Sequence, residues 1–339
     1  MISFLSVPPA SNACASLRRR KVCGLLTLWP LVTQAQVRKA RVAILSGASP
    51  DPVILRSMIE PFRQTLRERG YIEGQNLELL FRWADGRFER LPGLLQELLR
   101  SEPDLLVTIA GRPAIVAKEG ARSLPVVAAA VDDPVQMGLV TSIARPGGNI
   151  TGVSGAFSGL VPKRLQLLKD ILPRAQRFAI LFNPDSVPRQ TIAAEVPGWE
   201  RGLGMAIQLV AVRGPDDFDA AFAAMAKEQA NGVLVLADAV FWIHRARIGA
   251  LCLTARLPSV WGGGAYLDAG GLVSYQGDFS AVLRRAAGMV DQILRGAKPG
   301  DIPFEQVTKL ELVVNLKGAR AIGVAIPQSV LLAADEVIP

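Results

Sequence analysis

The chain is poor in the residues that do most enzyme chemistry. It has one histidine, His244, in 339 residues, so no histidine pair is available for a metal or a nucleophile–base–acid triad. Cysteines number three, Cys14, Cys23 and Cys252, too few and too dispersed for a disulfide framework. Aromatics make up 6% of the chain, whereas Ala, Val, Leu and Gly are plentiful, which disfavours a β-sandwich. No apolar run beyond residue 36 is long enough to span a bilayer, which takes about 20 residues. No G-x-G-x-x-G follows the first strand, and Gly262-Gly263-Gly264 comes too late with the wrong spacing. A P-loop is also missing. Paired carboxylates occur only as the sequence neighbours Asp132-Asp133 and Asp216-Asp217, not as residues set to flank a bond. These absences point to binding rather than catalysis, with no cofactor and no metal.

Acidic residues are absent from the first 36 positions, and that segment holds Arg18, Arg19, Arg20 and Lys21. Half of the formal net charge of +8 therefore sits there. The remainder is no nucleic-acid stripe, since no basic helix with interleaved aromatics follows. The basic cluster precedes a short apolar run, Val22 to Val32, and then Thr33-Gln34-Ala35. That order reads as an export signal over residues 1–36, with the paired arginines allowing a twin-arginine route. The expected location is periplasmic. Once the signal is removed only Cys252 survives, inside an apolar helical run, as a small core residue.

From Arg41 onward, apolar strand-like runs alternate with amphipathic helices. Strands are expected at 41–45, 77–81, 105–109, 125–129 and 150–153, with helices between them. The pattern restarts with strands at 178–182, 207–212, 232–236, 259–261 and 272–275, and helices at 189–203, 218–229 and 242–255. A helix over 280–295, an extended tail over 304–315, and a short helix with coil complete the chain. The expected class is α/β, with two parallel-stranded units of similar length.

In open parallel sheets, ligands sit beyond the carboxyl ends of the strands. The candidate site residues therefore lie in strand-end loops: Ser46, Gly47 and Ser49; Gly111 and Arg112; Asp132 and Asp133; Asn183; Asp238; Trp261 and Tyr266. Gly111-Arg112-Pro113 opens a helix and either suits an anion or is an ordinary N-terminal turn. Asp132, Asp133 and Asp238 suit an ammonium or hydroxyl, or cap the helix that follows. Trp261 and Tyr266 offer an apolar wall or pack in the core, and Trp83 offers a rim or an edge contact.

Several strings, in order, resemble the ABC-transporter substrate-binding family that includes tryptophan- and tyrosine-binding proteins. They are Gly70-Tyr71-Ile72-Glu73-Gly74-Gln75-Asn76, Arg82 to Gly86, Asp133-Pro134-Val135, Arg145-Pro146-Gly147-Gly148-Asn149-Ile150-Thr151-Gly152-Val153, Ala269 to Tyr275, and Pro303 to Lys317. The resemblance implies a type I periplasmic-binding architecture with two Rossmann-like lobes and a three-stranded hinge. The implied lobes are 40–152 with 278–306, and 153–277 with 307–339. It also implies a monomer that takes a small organic ligand, an amino acid or aromatic acid, to an inner-membrane ABC permease with its ATPase. A sensor domain or a Rossmann-like enzyme are the alternative readings. In this family Gly-Thr-Pro or a similar string often stands where Ala110 to Pro113 stands here, and Gly262 to Gly264 replaces bulkier residues.

Overall fold

The computed structural model describes residues 39–155, 158–187 and 189–339. The expected export signal, with Cys14 and Cys23, lies outside these residues. In chain order the first elements are β1 (Ala40–Ser46), α1 (Pro52–Ile54), a π-helical stretch (Leu55–Ile59), α2 (Glu60–Glu68), β2 (Leu77–Trp83), α3 (Leu91–Arg100), β3 (Leu105–Ile109), α4 (Gly111–Gly120), β4 (Val126–Val131) and β5 (Ile150–Ser154). There follow α5 (Val161–Ile171), β6 (Arg177–Phe182), α6 (Arg189–Leu203), β7 (Ala206–Ala211), α7 (Phe218–Lys227), β8 (Gly232–Val235), α8 (Ala239–Ile243), α9 (Arg245–Thr254), β9 (Ser259–Trp261) and β10 (Val273–Gly277). The last are α10 (Phe279–Leu294), β11 (Glu305–Gln306), β12 (Leu310–Asn315), α11 (Leu316–Ile322), α12 (Gln328–Ala333) and β13 (Glu336–Ile338).

Two sheets organise these elements. One runs β11-β5-β4-β3-β1-β2, all parallel; the other runs β13-β12-β10-β9-β8-β6-β7, parallel except where β12 meets β10. Each sheet with its helices is called a lobe below. The central strands β3 and β4 are buried along their whole length, as predominantly apolar strands are when helices cover both faces.

Three departures from the sequence reading have physical causes. The helix expected between the first two strands begins at Pro52 and contains the π-helical turn, against which the Ser280 hydroxyl donates to the Ser57 carbonyl at 2.9 Å. The expected helix 242–255 breaks at His244 into α8 and α9, because Asp238 caps an earlier start at Ala239. The extended tail divides into β11 and β12 on different sheets, and β13 adds a further edge strand.

The chain passes between the sheets three times: after β5, between β10 and α10, and between β11 and β12. These passages lie side by side. The Val307 N–H donates to the Ser154 carbonyl at 3.0 Å, and the Asp278 N–H to the Lys309 carbonyl at 3.2 Å. Asp278 also caps α10 through the Ala281 N–H at 3.0 Å. The apolar stripe of α10, including Val282, Ala286, Val290 and Ile293, then joins the core of the first sheet.

Candidate functional site

The first lobe brings small residues and shaped backbone to its strand ends. Ser46, almost fully buried at the end of β1, accepts the Ala48 N–H on its hydroxyl at 3.2 Å. A Cβ on Gly47 would lie 2.9 Å from the Phe88 ring and 3.7 Å from Ala239 in the opposite lobe. Ser49 contributes its carbonyl, which accepts the Asp51 N–H at 2.9 Å. Ala110, just before α4, has φ 77° and ψ 171°, backbone space that strongly favours glycine. Ala130 has φ 57°, at the point where the β4–β5 register shifts. The Ala110 N–H donates to the Ala129 carbonyl at 2.9 Å, extending the β3–β4 ladder, so the two strained alanines stand at adjacent strand ends.

Of the paired acids, exposed Asp133 accepts the Val135 and Gln136 N–H groups, each at 2.9 Å, and so caps a turn. Asp132 is half-buried; its carbonyl accepts the Ser154 hydroxyl, and its charge acts on Arg164 across the lobes.

The second lobe brings a cation and rings. Arg164, absent from the sequence-based candidates, is 1% exposed. Its Nε donates to the Tyr275 carbonyl at 2.7 Å. Burial lowers its pKa to about 10, with Asp132, Tyr266 and Tyr275 opposing, so the guanidinium is charged at neutral pH. A signal for it existed: Val161, Arg164, Leu165 and Leu168 form an i, i+3, i+4, i+7 stripe, and the arginine interrupts an apolar face.

Tyr266 lies between two tryptophans. It stacks on Trp261 with centroids 4.9 Å apart and meets the Trp242 edge at 5.1 Å. Trp261 is fully buried in the lobe core, its indole N–H donating to the Ser259 hydroxyl at 2.7 Å. Burial, then the nearby Asp238 charge, pushes the Tyr266 phenol well above its ordinary pKa, so it stays neutral. Gly263 makes this packing possible, since a Cβ there would fall 2.5 Å from the Tyr266 ring.

Asp238 is the N-cap of α8. One carboxylate oxygen accepts the Val240 N–H at 2.8 Å and the Asn183 amide at 3.2 Å; the other accepts the Ser186 hydroxyl at 2.5 Å. Burial outweighs these bonds and raises its pKa. The helix-capping alternative is thus what Asp238 performs. Asn183 is itself held, accepting the Asp185 N–H at 3.0 Å.

Exposed Arg112 stands apart from Arg164 and Tyr266. With Asn183 it lines a separate cavity of about 650 Å³ between the lobes, walled by Phe88, Val240, Ile243 and His244. Gly111, beside it, would put a Cβ 2.6 Å from the end of the Met137 side chain. His244 packs edge-on against Phe218 at 5.8 Å, and burial, then Arg247, lowers its pKa. Trp83 stacks on Phe81 with ring centroids 5.8 Å apart, on the edge strand β2. Among the described residues, no group of three or more His, Cys, Asp or Glu is placed to hold a metal ion. No helix among them is long and apolar enough to cross a membrane.

The lobes are joined across the cleft by Asp51, another residue outside the sequence-based candidates. One of its oxygens caps α1, accepting the Val53 and Ile54 N–H groups at 2.9 Å each. The other accepts the Trp242 indole N–H at 2.8 Å and the Arg245 guanidinium at 3.0 Å.

Two α/β sheets whose strand ends face each other across three adjacent chain passages define a type I periplasmic-binding fold. The leucine-binding protein of Thermotoga maritima MSB8 shares that fold, with TM-score 0.57 and 12% identity over 77% of this chain and 84% of that one. The chain belongs to the ABC transporter substrate binding protein family, whose model matches residues 42–338. It is similar to the tyrosine-binding protein of Clostridioides difficile (strain R20291), 21% identical over 254 residues, 75% of this chain and 73% of the relative. It is also similar to an ABC domain solved in complex with L-Trp from Streptococcus pneumonia. That match has TM-score 0.80 and 26% identity over 88% of this chain and 100% of the other.

Proposed function

We propose that this protein is the exported, periplasmic solute-binding component of an ABC importer, non-enzymatic and monomeric, with an amino acid or aromatic acid as its ligand. The lobes 40–152 with 278–306, and 153–277 with 307–339, would close on that ligand about the three passages. The closed form would then dock on a permease driven by a cytoplasmic ATPase. The observation that carries the ligand class is the buried Arg164 cation beside Asp132 of the opposite lobe, with Tyr266 and Trp242 adjacent. A carboxylate gains from the guanidinium, an ammonium from an acid such as Asp132, and an apolar side chain from the rings. Ser46, Gly47 and Gly111 would offer close backbone approach from the first lobe, with Arg112 and Asn183 at the rim.

Relatives described as tyrosine-binding and as bound to L-Trp support this class. A thermal-shift screen of amino acids, aromatic carboxylates and sugars tests it, since a ligand specific to the native state raises the melting temperature. Stabilisation by L-tryptophan, L-tyrosine or an aromatic acid is expected. Stabilisation by neutral sugars alone would overturn the ligand class.

A further inference from the structure

We propose that Asp238 positions the aromatic wall of the cleft, holding Trp242 and Tyr266 in place for the ligand without touching the ligand itself. This role rests on the capture reading above. Every group that builds it lies in the second lobe, so it holds whatever the separation of the two lobes.

Asp238 stands where three strand ends converge. It follows β8, and its carboxylate takes the Asn183 amide at 3.2 Å and the Ser186 hydroxyl at 2.5 Å from the loop after β6. Its charge and its N–H both act on the phenol of Tyr266, which follows β9. Towards its own helix, the carboxylate accepts the Val240 N–H at 2.8 Å and the Asp238 carbonyl accepts the Trp242 N–H at 2.9 Å. Trp242 in turn meets the Tyr266 ring with centroids 5.1 Å apart.

These bonds exceed what a helix cap requires, which is one acceptor for the first turn. The helix they serve, α8, has five residues, too few to be stable by its own hydrogen bonds. Val240 and Phe241 bury its core side. Half-buried Trp242 takes its direction from the capped end. Clamped between the β6 loop and the first turn of α8, the Asp238 backbone offers Trp242 a fixed carbonyl and Tyr266 a fixed N–H. Rings set beforehand have little freedom left to lose, whereas ordering one such ring on binding weakens affinity by about two- to tenfold.

The test compares the parent with Asp238→Ser and Ser186→Ala in the full chain. Near-ultraviolet circular dichroism without ligand reads the rings, and titration calorimetry with L-tryptophan reads binding. Serine caps a helix about as well as aspartate but is too short to reach Asn183 and Ser186 as well. Ser186→Ala leaves the cap whole and removes one bond of the clamp. For Asp238→Ser we expect a weaker near-ultraviolet signal and an affinity about two- to tenfold lower, at unchanged far-ultraviolet helix content. Ser186→Ala should show smaller changes of the same sign. Parent-like spectra and affinities in both variants would overturn the assignment and leave Asp238 a cap alone. Weaker binding at an unchanged ring signal would also overturn it, since the carboxylate would then meet the ligand directly. So would an altered ring signal at parent affinity. A parent that gives no heat with L-tryptophan counts against the capture reading, while the ligand-free spectra still decide whether Asp238 sets the rings.

Discussion

The two lobes face the same cleft with different chemistry. The first offers backbone and small side chains: Ser46, Gly47, strained Ala110 and Ala130, and the capping acids Asp51 and Asp133. The second offers bulk and charge: Arg164, Trp242, Tyr266 and, deeper, Trp261. On the proposed reading, the difference means that the lobes would divide the work of recognition. Rigid backbone sets a shape that only a limited range of ligands can approach. Buried rings and a buried cation would set the polarity that the ligand must match.

The most severe test of that division is removal of Arg164. Arg164→Leu removes the donor to the Tyr275 carbonyl and the positive charge that acts on Asp132. We expect a loss of about 3 kcal/mol in stability by urea unfolding, because the Tyr275 carbonyl loses a charged donor and leucine leaves part of the guanidinium volume empty. A loss below 1 kcal/mol would show that the second lobe does not depend on its cation. Next in size is Gly263→Ala, whose Cβ would meet the Tyr266 ring at 2.5 Å. Overpacking of this kind costs about 1–3 kcal/mol and should lower the melting temperature by several degrees. An unchanged melting temperature would mean that the Trp261–Tyr266–Trp242 stack yields readily, and the contrast between a rigid and a rearranging lobe would weaken.

The join between the lobes gives a pH-dependent prediction. Burial works to raise the Asp51 pKa, but the bonds from Ile54 and Trp242 and the Arg245 charge outweigh it and leave the pKa below its ordinary 3.8. A carboxyl depressed in the folded, closed state contributes stability that is fully present above its ordinary pKa. That stability is lost as pH falls through the depressed value. The melting-temperature difference between the parent and Asp51→Asn should therefore be constant from neutral pH down to about pH 5. It should then shrink towards zero in stronger acid. A difference that grows on acidification would contradict the sign.

The same contrast explains what could be read from the sequence. The cores of both lobes were legible because β3, β4 and β6 are predominantly apolar runs of strand length between turn signals, broken only by Thr108 in β3 and by Arg177 at the start of β6. The cleft-facing loops followed from strand direction. What the period could not show was where the chain changes sheet: residues 304–315 look like one extended run, yet three residues, Val307 to Lys309, carry it from one lobe to the other. Side-chain roles were harder. Asp238 has the pattern of a cap and of a ligand contact alike, and only its bonds to Val240, Asn183 and Ser186 distinguish them. The partners of Asp51 lie 191 and 194 residues away, beyond any local spacing rule. Arg164 alone was within reach, as a cation on an otherwise apolar helical stripe.

The smallest expected effect probes the backbone of the first lobe. Ala110 holds φ 77° and ψ 171° although its methyl group opposes that geometry. Such a conformation costs about 1–3 kcal/mol for a residue other than glycine. Ala110→Gly relieves that cost but enlarges the freedom of the unfolded chain by about 0.4–1 kcal/mol. The net expectation is stabilisation of about 1 kcal/mol, read as a higher urea midpoint with an unchanged slope. The slope matters, because a change in it would place the effect in the denatured chain and leave the strained turn unexplained. If Ala110→Gly instead destabilises, the turn is held by packing of the Ala110 methyl group. The first lobe would then shape the cleft through side chains, as the second does, and the division of labour between them would not stand.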